Sequence, residues 1–410
     1  MAQTSTLFQQ LTDCLDYDYF KRLVKKYNGN RYVKKFSCWM LLITLVWSHI
    51  TSRKSLRDIS LSLMGLGSDA YRLGTGGAVS KSTLSEALEN RPVAIFRDMA
   101  QRMMSLASKT APRDESLMVI MKTFGTNGFY AVDSSKFFLE AAAFGWADSA
   151  GVGGPGVKLH LMLDLLRQVP TLACITGMEG CDQRFMDLYD YQPGCFYMFD
   201  KIYTKTDAWQ CIADQGAYFV LRLKRGLCFR TLDERPVQQG SRIMADKTIE
   251  FSSRWAKKGW TGRLRLVAYM LPDSETMEYF VTNNFTVDAF VVPYLYKCRW
   301  QIELFFKWLK YNMHITDFYG RSANAVMIQI YSGIITVCML AIAADKYHFQ
   351  GSLYEFSRML SQSLTTKSSL SEFVNRYSRD TNEVSQAITP SATPMQGVLF
   401  TDEELAKCYF

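Results

Sequence analysis

FYAVDSS, residues 129–135, is the stretch from which the fold can be read. Aromatic, small and β-branched residues run directly into Asp133 and two serines, which is how a β-strand closes on a carboxylate. CFYMFD, residues 195–200, does the same and closes on Asp200. A carboxylate that ends an apolar strand sits at the rim of a sheet, where ligands bind in α/β architectures. Two of them on neighbouring strands repel one another unless a cation lies between them. Their hard oxygens suit Mg²⁺ or Mn²⁺. A strand-end Asp also simply starts a turn, so the pair leaves both readings open.

YLYKCRWQIELFFKWLKYN, residues 294–312, narrows the choice. Read as one helix at about 100° per residue, it places Tyr296, Arg299, Glu303 and Lys310 within about 60° of one another, with Lys307 close beside them. Leu304, Phe305, Trp308 and Leu309 fall elsewhere and are expected to pack against the sheet. One face thus offers a carboxylate flanked by cations and a phenol. A phosphate and metal site needs this pattern, because the cations grip non-bridging oxygens and the acid grips the ion. A solvated helix face mixes charges in much the same way, so periodicity alone keeps that alternative.

Short β-rich runs fill residues 124–225: VKLHLMLDLL (157–166), TLACITG (171–177) and AYFVLRLK (217–224), with TKTDAWQCIADQG (204–216) helical between them. Residues 226–291 form a second β-rich stretch, with RLRLVAYML (263–271) and MEYFVTNNF (277–285) as strands. Helix returns over 292–350, and 351–410 is a helical segment ending in a loose tail that includes ITPSATPMQG (388–397). Residues 1–113 read as helical. Within them SLRDISLSLMGLG (55–67), a Gly-rich turn and SKSTLSEALENR (80–91) suit a helix-turn-helix. Its second helix, capped by Ser80 or Ser82, would carry Lys81, Ser82 and Thr83 into the major groove of DNA. An ordinary helical hairpin has the same pattern.

The chain has 410 residues, enough for two or three domains, and 48% of them are hydrophobic, which excludes a disordered chain. The net charge of +8 fits a polyanionic partner only weakly. Ten cysteines are scattered without a CxxC pair, which reads as reduced thiols rather than a zinc site or a disulfide framework. No secretory signal is visible in MAQTSTLFQQLTDCLDYDYF. AVMIQIYSGIITVCMLAIAA, residues 325–344, is long enough to span a bilayer, but Gln329, Ser332 and Thr336 suit a buried core helix better.

With these residues placed, the chain resembles the insertion-sequence transposases of family four, the cut-and-paste DDE enzymes. The family's last catalytic helix carries Tyr, two residues, Arg, three residues, Glu, six residues, Lys, and Tyr296, Arg299, Glu303 and Lys310 match in type and spacing. Asp133-Ser134-Ser135 resembles its Asp-Ser-Thr, and Lys158 and His160 its Lys-Leu-His strand. YMFDKIY resembles its Asp-x-Gly-Tyr, with Ile202 where glycine is usual, and Cys181-Asp182 stands where His-Asp is common.

The resemblance implies an α/β fold: an RNase H-like mixed sheet flanked by helices, interrupted by a β-rich insertion and preceded by a helical N-terminal DNA-binding domain. It implies that Asp133, Asp200 and Glu303 hold two Mg²⁺ ions, with Mn²⁺ able to substitute, that Tyr296, Arg299 and Lys310, with Lys307 beside them, hold a terminal phosphate, and that Lys158 is a further DNA contact. Trp255 and Trp260 are the candidates to stack on a flipped base while a DNA hairpin forms. The implied activity is DNA transposition by nicking, a hairpin and strand transfer. The implied partners are double-stranded DNA, as terminal inverted repeats and target, and a second copy of the chain bridging two element ends. A cytoplasmic, nucleoid-associated protein without a membrane partner is expected. Three alternatives stay open, the remotest being a membrane protein built on residues 325–344. A decayed or domesticated copy would bind DNA without cutting, and Ile202 speaks for it. An RNase H-like nuclease or junction resolvase would share the acids without needing the Tyr-Arg-Glu-Lys face.

Overall fold

The computed structural model describes residues 5–147, 154–180, 182–223, 228–252, 259–272, 276–311, 313–315 and 317–376, so Trp255, Cys181 and the expected tail lie outside it. Nine strands are present among these residues: β1 (Gly128–Phe138), β2 (Gly156–Asp164), β3 (Val169–Gly177), β4 (Cys195–Phe199), β5 (Tyr218–Arg222), β6 (Phe229–Arg235), β7 (Ile243–Phe251), β8 (Leu264–Met270) and β9 (Met277–Thr282). They form one sheet in the order β3-β2-β1-β4-β5-β9-β8-β7-β6. β1, β4 and β5 run parallel to one another, while β2 is antiparallel to both β1 and β3. Parallel neighbours need a crossover, and the helix Thr206–Asp214 supplies it between β4 and β5. The result is a mixed α/β fold with an RNase H-like core.

Side chains alternate across this sheet, and the two faces pack differently. Phe129, Ala131, Leu159, Leu161, Phe196 and Met198 join the core shared with most of the helices. Val132, Tyr197, Phe199, Phe219 and Leu221 point the other way, onto Trp209 and Tyr203. The β-rich insertion is not a free-standing module. Its strand β9 pairs antiparallel with β5, so β6 to β9 prolong the same sheet. β1 also runs further than expected. It loses β4 after Val132 but stays paired with β2 as far as Phe138, which leaves Asp133 inside the strand rather than at its end.

Buried side chains of the N-terminal helices belong to the same core as those of the long helix Ala323–Lys346. That helix is long and apolar enough to cross a membrane, yet 89% of its most apolar stretch is buried inside the protein. Its polar groups are satisfied there, because Gln329 Oε1 accepts from Tyr319 N at 2.8 Å and Thr336 donates to the Ser332 carbonyl at 2.8 Å. The expected helix-turn-helix differs in its turn. Ser55 and Ser80 do cap the helices Leu56–Gly65 and Lys81–Asn90. The connection holds a further helical turn, Asp69–Arg72, before the expected Gly-rich stretch, where Gly74, Gly76 and Gly77 adopt positive φ.

His49 ties the helix Cys38–Ile50 to the long helix. Its Nδ1 lies 3.2 Å from the Met313 carbonyl, and its Nε2 lies 2.9 Å from Ser332 Oγ. Burial pushes the imidazole down from 6.5 to about 4. The unfolded chain therefore takes up a proton that the folded chain refuses until about pH 4, so this contribution is complete above pH 6.5 and is lost as pH falls toward 4. Each pH unit inside that window carries about 1.4 kcal/mol. Urea midpoints of wild type and His49→Gln should converge as pH drops from 7 to 5, and a constant gap would show that His49 does not titrate in this way.

Candidate active site

Strand parity and register bring the first two acids together. Asp133 shares a face of β1 with Phe129 and Ala131, and Asp200 follows Phe196 and Met198 on the matching face of β4. Val132 pairs with Phe199 in the parallel ladder, so Asp133 and Asp200 are the next residues in line. The third acid comes from the helix Trp300–Tyr311, which lies against β1 and buries Ile302, Phe305, Phe306 and Leu309. The expected single helix over 294–312 is two helices, Val291–Cys298 and Trp300–Tyr311, with a tightened turn at Arg299 whose N–H donates to the Tyr296 carbonyl. Leu304, expected to pack on the sheet, is 46% exposed instead.

Arg299 sits in the middle of this arrangement. One guanidinium nitrogen, Nη1, is 3.2 Å from Asp133 Oδ2, and the other, Nη2, is 2.7 Å from Glu303 Oε1. The guanidinium also lies over the Tyr296 ring at 5.4 Å, and the Tyr296 hydroxyl is 3.5 Å from Asp200 Oδ1. All three acids are thus linked through two residues of the Tyr-Arg-Glu-Lys helix face. Arg299 is itself buried, and its Nε has no hydrogen-bond partner among the described residues.

Asp133 is held well above the usual carboxylate range. Burial pushes Asp133 up from 3.8 to about 6, Arg299 pulls it back, and Asp200 and Glu303 push it up further. A carboxylate held this high with a guanidinium already beside it can accept another cation. Among the described residues no group of three His, Cys, Asp or Glu stands ready as a metal cluster, and the Arg299 guanidinium bonds both Asp133 and Glu303. The donor set nevertheless fits a hard divalent ion, being carboxylate oxygens that share one under-compensated field.

Lys158 is not part of this site, although the sequence grouped it with the DNA contacts. It alternates with Val157 and Leu159, so its side chain lies on the opposite face of the sheet. There Lys158 Nζ donates to the Gly180 carbonyl at 2.7 Å and lies 3.3 Å from Asp182 Oδ2. His160, pushed down to about 4 by burial, lies 3.5 Å from the same carboxylate. Ser134 joins the two faces. Its N–H donates to Asp133 Oδ1 at 2.8 Å, and its hydroxyl donates to Asp182 Oδ1 at 2.6 Å.

Lys310 is half-buried over the Phe137 ring and donates to the Lys136 carbonyl at 2.7 Å, while Lys307 is exposed. Lys81 and Ser82 are exposed at the start of their helix, with Thr83 half-buried. Trp260, a candidate for base stacking, is buried at 4% exposure against Phe219, with its indole N–H donated to the Gly262 carbonyl at 2.7 Å. A ring so enclosed has no free face, so its place in the β-rich stretch is structural. Ile202 keeps an ordinary negative φ, so no glycine is required after Asp200. Trp300, which the sequence did not single out, is 56% exposed between Arg299 and Gln301, an apolar residue on the polar side of the helix.

Comparison with known proteins decides what this geometry belongs to. Residues 126–339, which contain all three acids, match the transposase DDE domain family. The chain belongs to that family. This transposase is similar to proteins named as transposases in Sinorhizobium fredii (29% identity over 265 residues, 64% of this chain and 70% of the other) and Synechocystis (23% over 272 residues, 65% and 72%). It is also similar to one named for the insertion sequence element IS5377 of Geobacillus stearothermophilus (25% over 218 residues, 52% and 56%). A looser structural likeness, with TM-score 0.45 and 12% identity over 97% of this chain and 86% of the other, is to piggyBac transposase in a synaptic complex with hairpin DNA. Residues 3–75 match a domain of unknown function. The protein is therefore a DNA transposase that resembles family four of the insertion-sequence enzymes, and membership brings a general dependence on divalent metal.

Asp182 carries the polar cluster behind the acids, since Lys158 is buried against it. Asp182→Ala should cost about 3 kcal/mol of stability, because it strands a buried ammonium. Lys158→Met should cost clearly less, because Asp182 keeps Ser134 as a donor. Urea denaturation of both variants checks the order, and equal losses would show that the cluster is not a buried ion pair.

Proposed function

We propose that Asp133, Asp200 and Glu303 hold two Mg²⁺ ions, replaceable by Mn²⁺, and that this site cuts and rejoins DNA phosphodiester bonds. The observation that carries the reading is the position of Arg299, whose guanidinium is bonded to Asp133 and to Glu303 while Tyr296 reaches Asp200. Bound divalent ions supply an activated oxygen nucleophile and stabilisation of the leaving oxygen. The protein's own groups do the rest. Arg299 has an unsatisfied Nε and turns its charge to a non-bridging phosphate oxygen once the acids are otherwise neutralised. Tyr296 and Lys310 flank the same phosphate, with Lys307 at the solvent edge. Ser134 fixes the Asp133 carboxylate from behind.

The substrates are the terminal inverted repeats of an element and a target duplex, processed by nicking, a hairpin and strand transfer, with two copies of the chain bridging two ends. This part rests on the resemblance to the insertion-sequence transposases of family four. Trp300, not Trp260, offers the exposed ring that such a route needs for stacking on an unpaired base.

Asp133→Asn, Asp200→Asn and Glu303→Gln should each reduce Mn²⁺- or Mg²⁺-dependent nicking of a plasmid carrying the element ends by about a thousandfold or more. Duplex binding should persist, and calorimetry should show weakened Mn²⁺ binding. Trp300→Ala should slow hairpin formation roughly tenfold or more, the scale of one lost base stack, while leaving the first nick nearly intact. Nicking by the three acid variants at wild-type rate would overturn the assignment of the site.

A further inference from the structure

One surface near the N-terminus is strongly cationic. The helix Tyr17–Lys26 presents Lys21, Arg22, Lys25 and Lys26 to solvent while burying Phe20 and Leu23. The segment after it exposes Arg31, Lys34 and Lys35. Against these seven cations residues 17–35 contain one acid, Asp18, so these nineteen residues carry a net +6. The carboxylates packed against the helix are already engaged. Asp98 is bonded by Arg97 and the Tyr27 hydroxyl, with Lys26 at 3.5 Å, and Asp16 is bonded by Arg102. Tyr32 stands among the cations with its ring 87% exposed and its backbone at φ +61, a left-handed conformation that costs energy for a residue with a side chain.

We infer that this face, which lies within the matched domain of unknown function, grips the phosphate backbone of duplex DNA independently of sequence. The inference rests on the transposase reading and assigns a DNA contact remote in sequence from both the acids and the Lys81 helix. Clustered cations that displace the counterions of a duplex gain affinity at any sequence. A bilayer fits less well, because the apolar residues of this helix face inward and leave nothing to insert.

The test uses the full chain and a labelled 40-base-pair duplex, with fluorescence anisotropy read across a series of salt concentrations. The triple variant Lys21→Gln/Arg22→Gln/Lys25→Gln should bind at least about tenfold more weakly near physiological salt. The slope of log affinity against log salt should become shallower by about 0.9 for each phosphate contact removed. The loss should be equal for element-end and unrelated duplexes. Lys34→Gln/Lys35→Gln, outside the helix, should reduce the slope without touching helix stability. An unchanged slope in both variants, or a loss confined to one DNA sequence, overturns the backbone grip. Failure of the wild-type chain to bind any duplex would instead sink the DNA-processing reading itself.

Discussion

The contact on which the rest of the site depends is the Arg299 guanidinium between Asp133 and Glu303. Parallel pairing of β1 and β4 brings Asp133 and Asp200 to adjacent positions, and like charges so placed repel one another. The helix Trp300–Tyr311 adds a third carboxylate from above the same face. Without a cation at that spot, burial would oppose the ionised acids and the helix would dock against its own repulsion. Arg299 resolves this with a buried, delocalised charge whose planar fork can address two carboxylates at once. The turn at Arg299, where the stretch divides into two helices, places the fork there.

A second constraint follows from the period of a strand. Residues 133 and 134 of β1 must point to opposite faces, so one strand serves the acid site in front and the buried Asp182 cluster behind. Ser134 couples them, because its amide holds the Asp133 carboxylate while its hydroxyl is bound to Asp182. Lys158 and His160 complete the rear cluster from β2. Their part is to neutralise and surround a half-buried carboxylate, which accounts for a lysine and a histidine in an otherwise apolar strand without placing either beside DNA.

Much of this was legible in the sequence, for reasons that can be named. The strand before Asp200 was readable because a buried strand is a continuous apolar run closed by a polar residue, whereas β1, equally apolar at its start, runs on through Asp133 to Phe138. Glu303 was readable because four residue types at fixed helical offsets rarely coincide by chance. The faces were harder. The neighbours of Lys158 fix its side of the sheet, but only once β2 is known to pair with β1 in a given register. Trp260 and Trp300 could not be told apart by composition, since the one is enclosed by Phe219 and the other stands in solvent because of tertiary packing alone. The insertion reads as a separate β module because no sequence pattern reveals that β9 pairs with β5 across intervening chain.

Net charge is a weak guide for a related reason. A value of +8 spread over 410 residues gives a weak field, and read as an average it says little about partners. Charges separated by more than about 8 Å are largely screened at physiological salt, so a distant lysine adds nothing to a patch and a distant acid subtracts nothing from it. What counts is the local sum within a screening length. On one solvent face of the helix Tyr17–Lys26 that sum is strongly positive, because Phe20 and Leu23 claim the other face for the core. The same amphipathic arrangement that anchors the helix therefore gathers its cations, and folding converts an ordinary composition into a directed electrostatic surface.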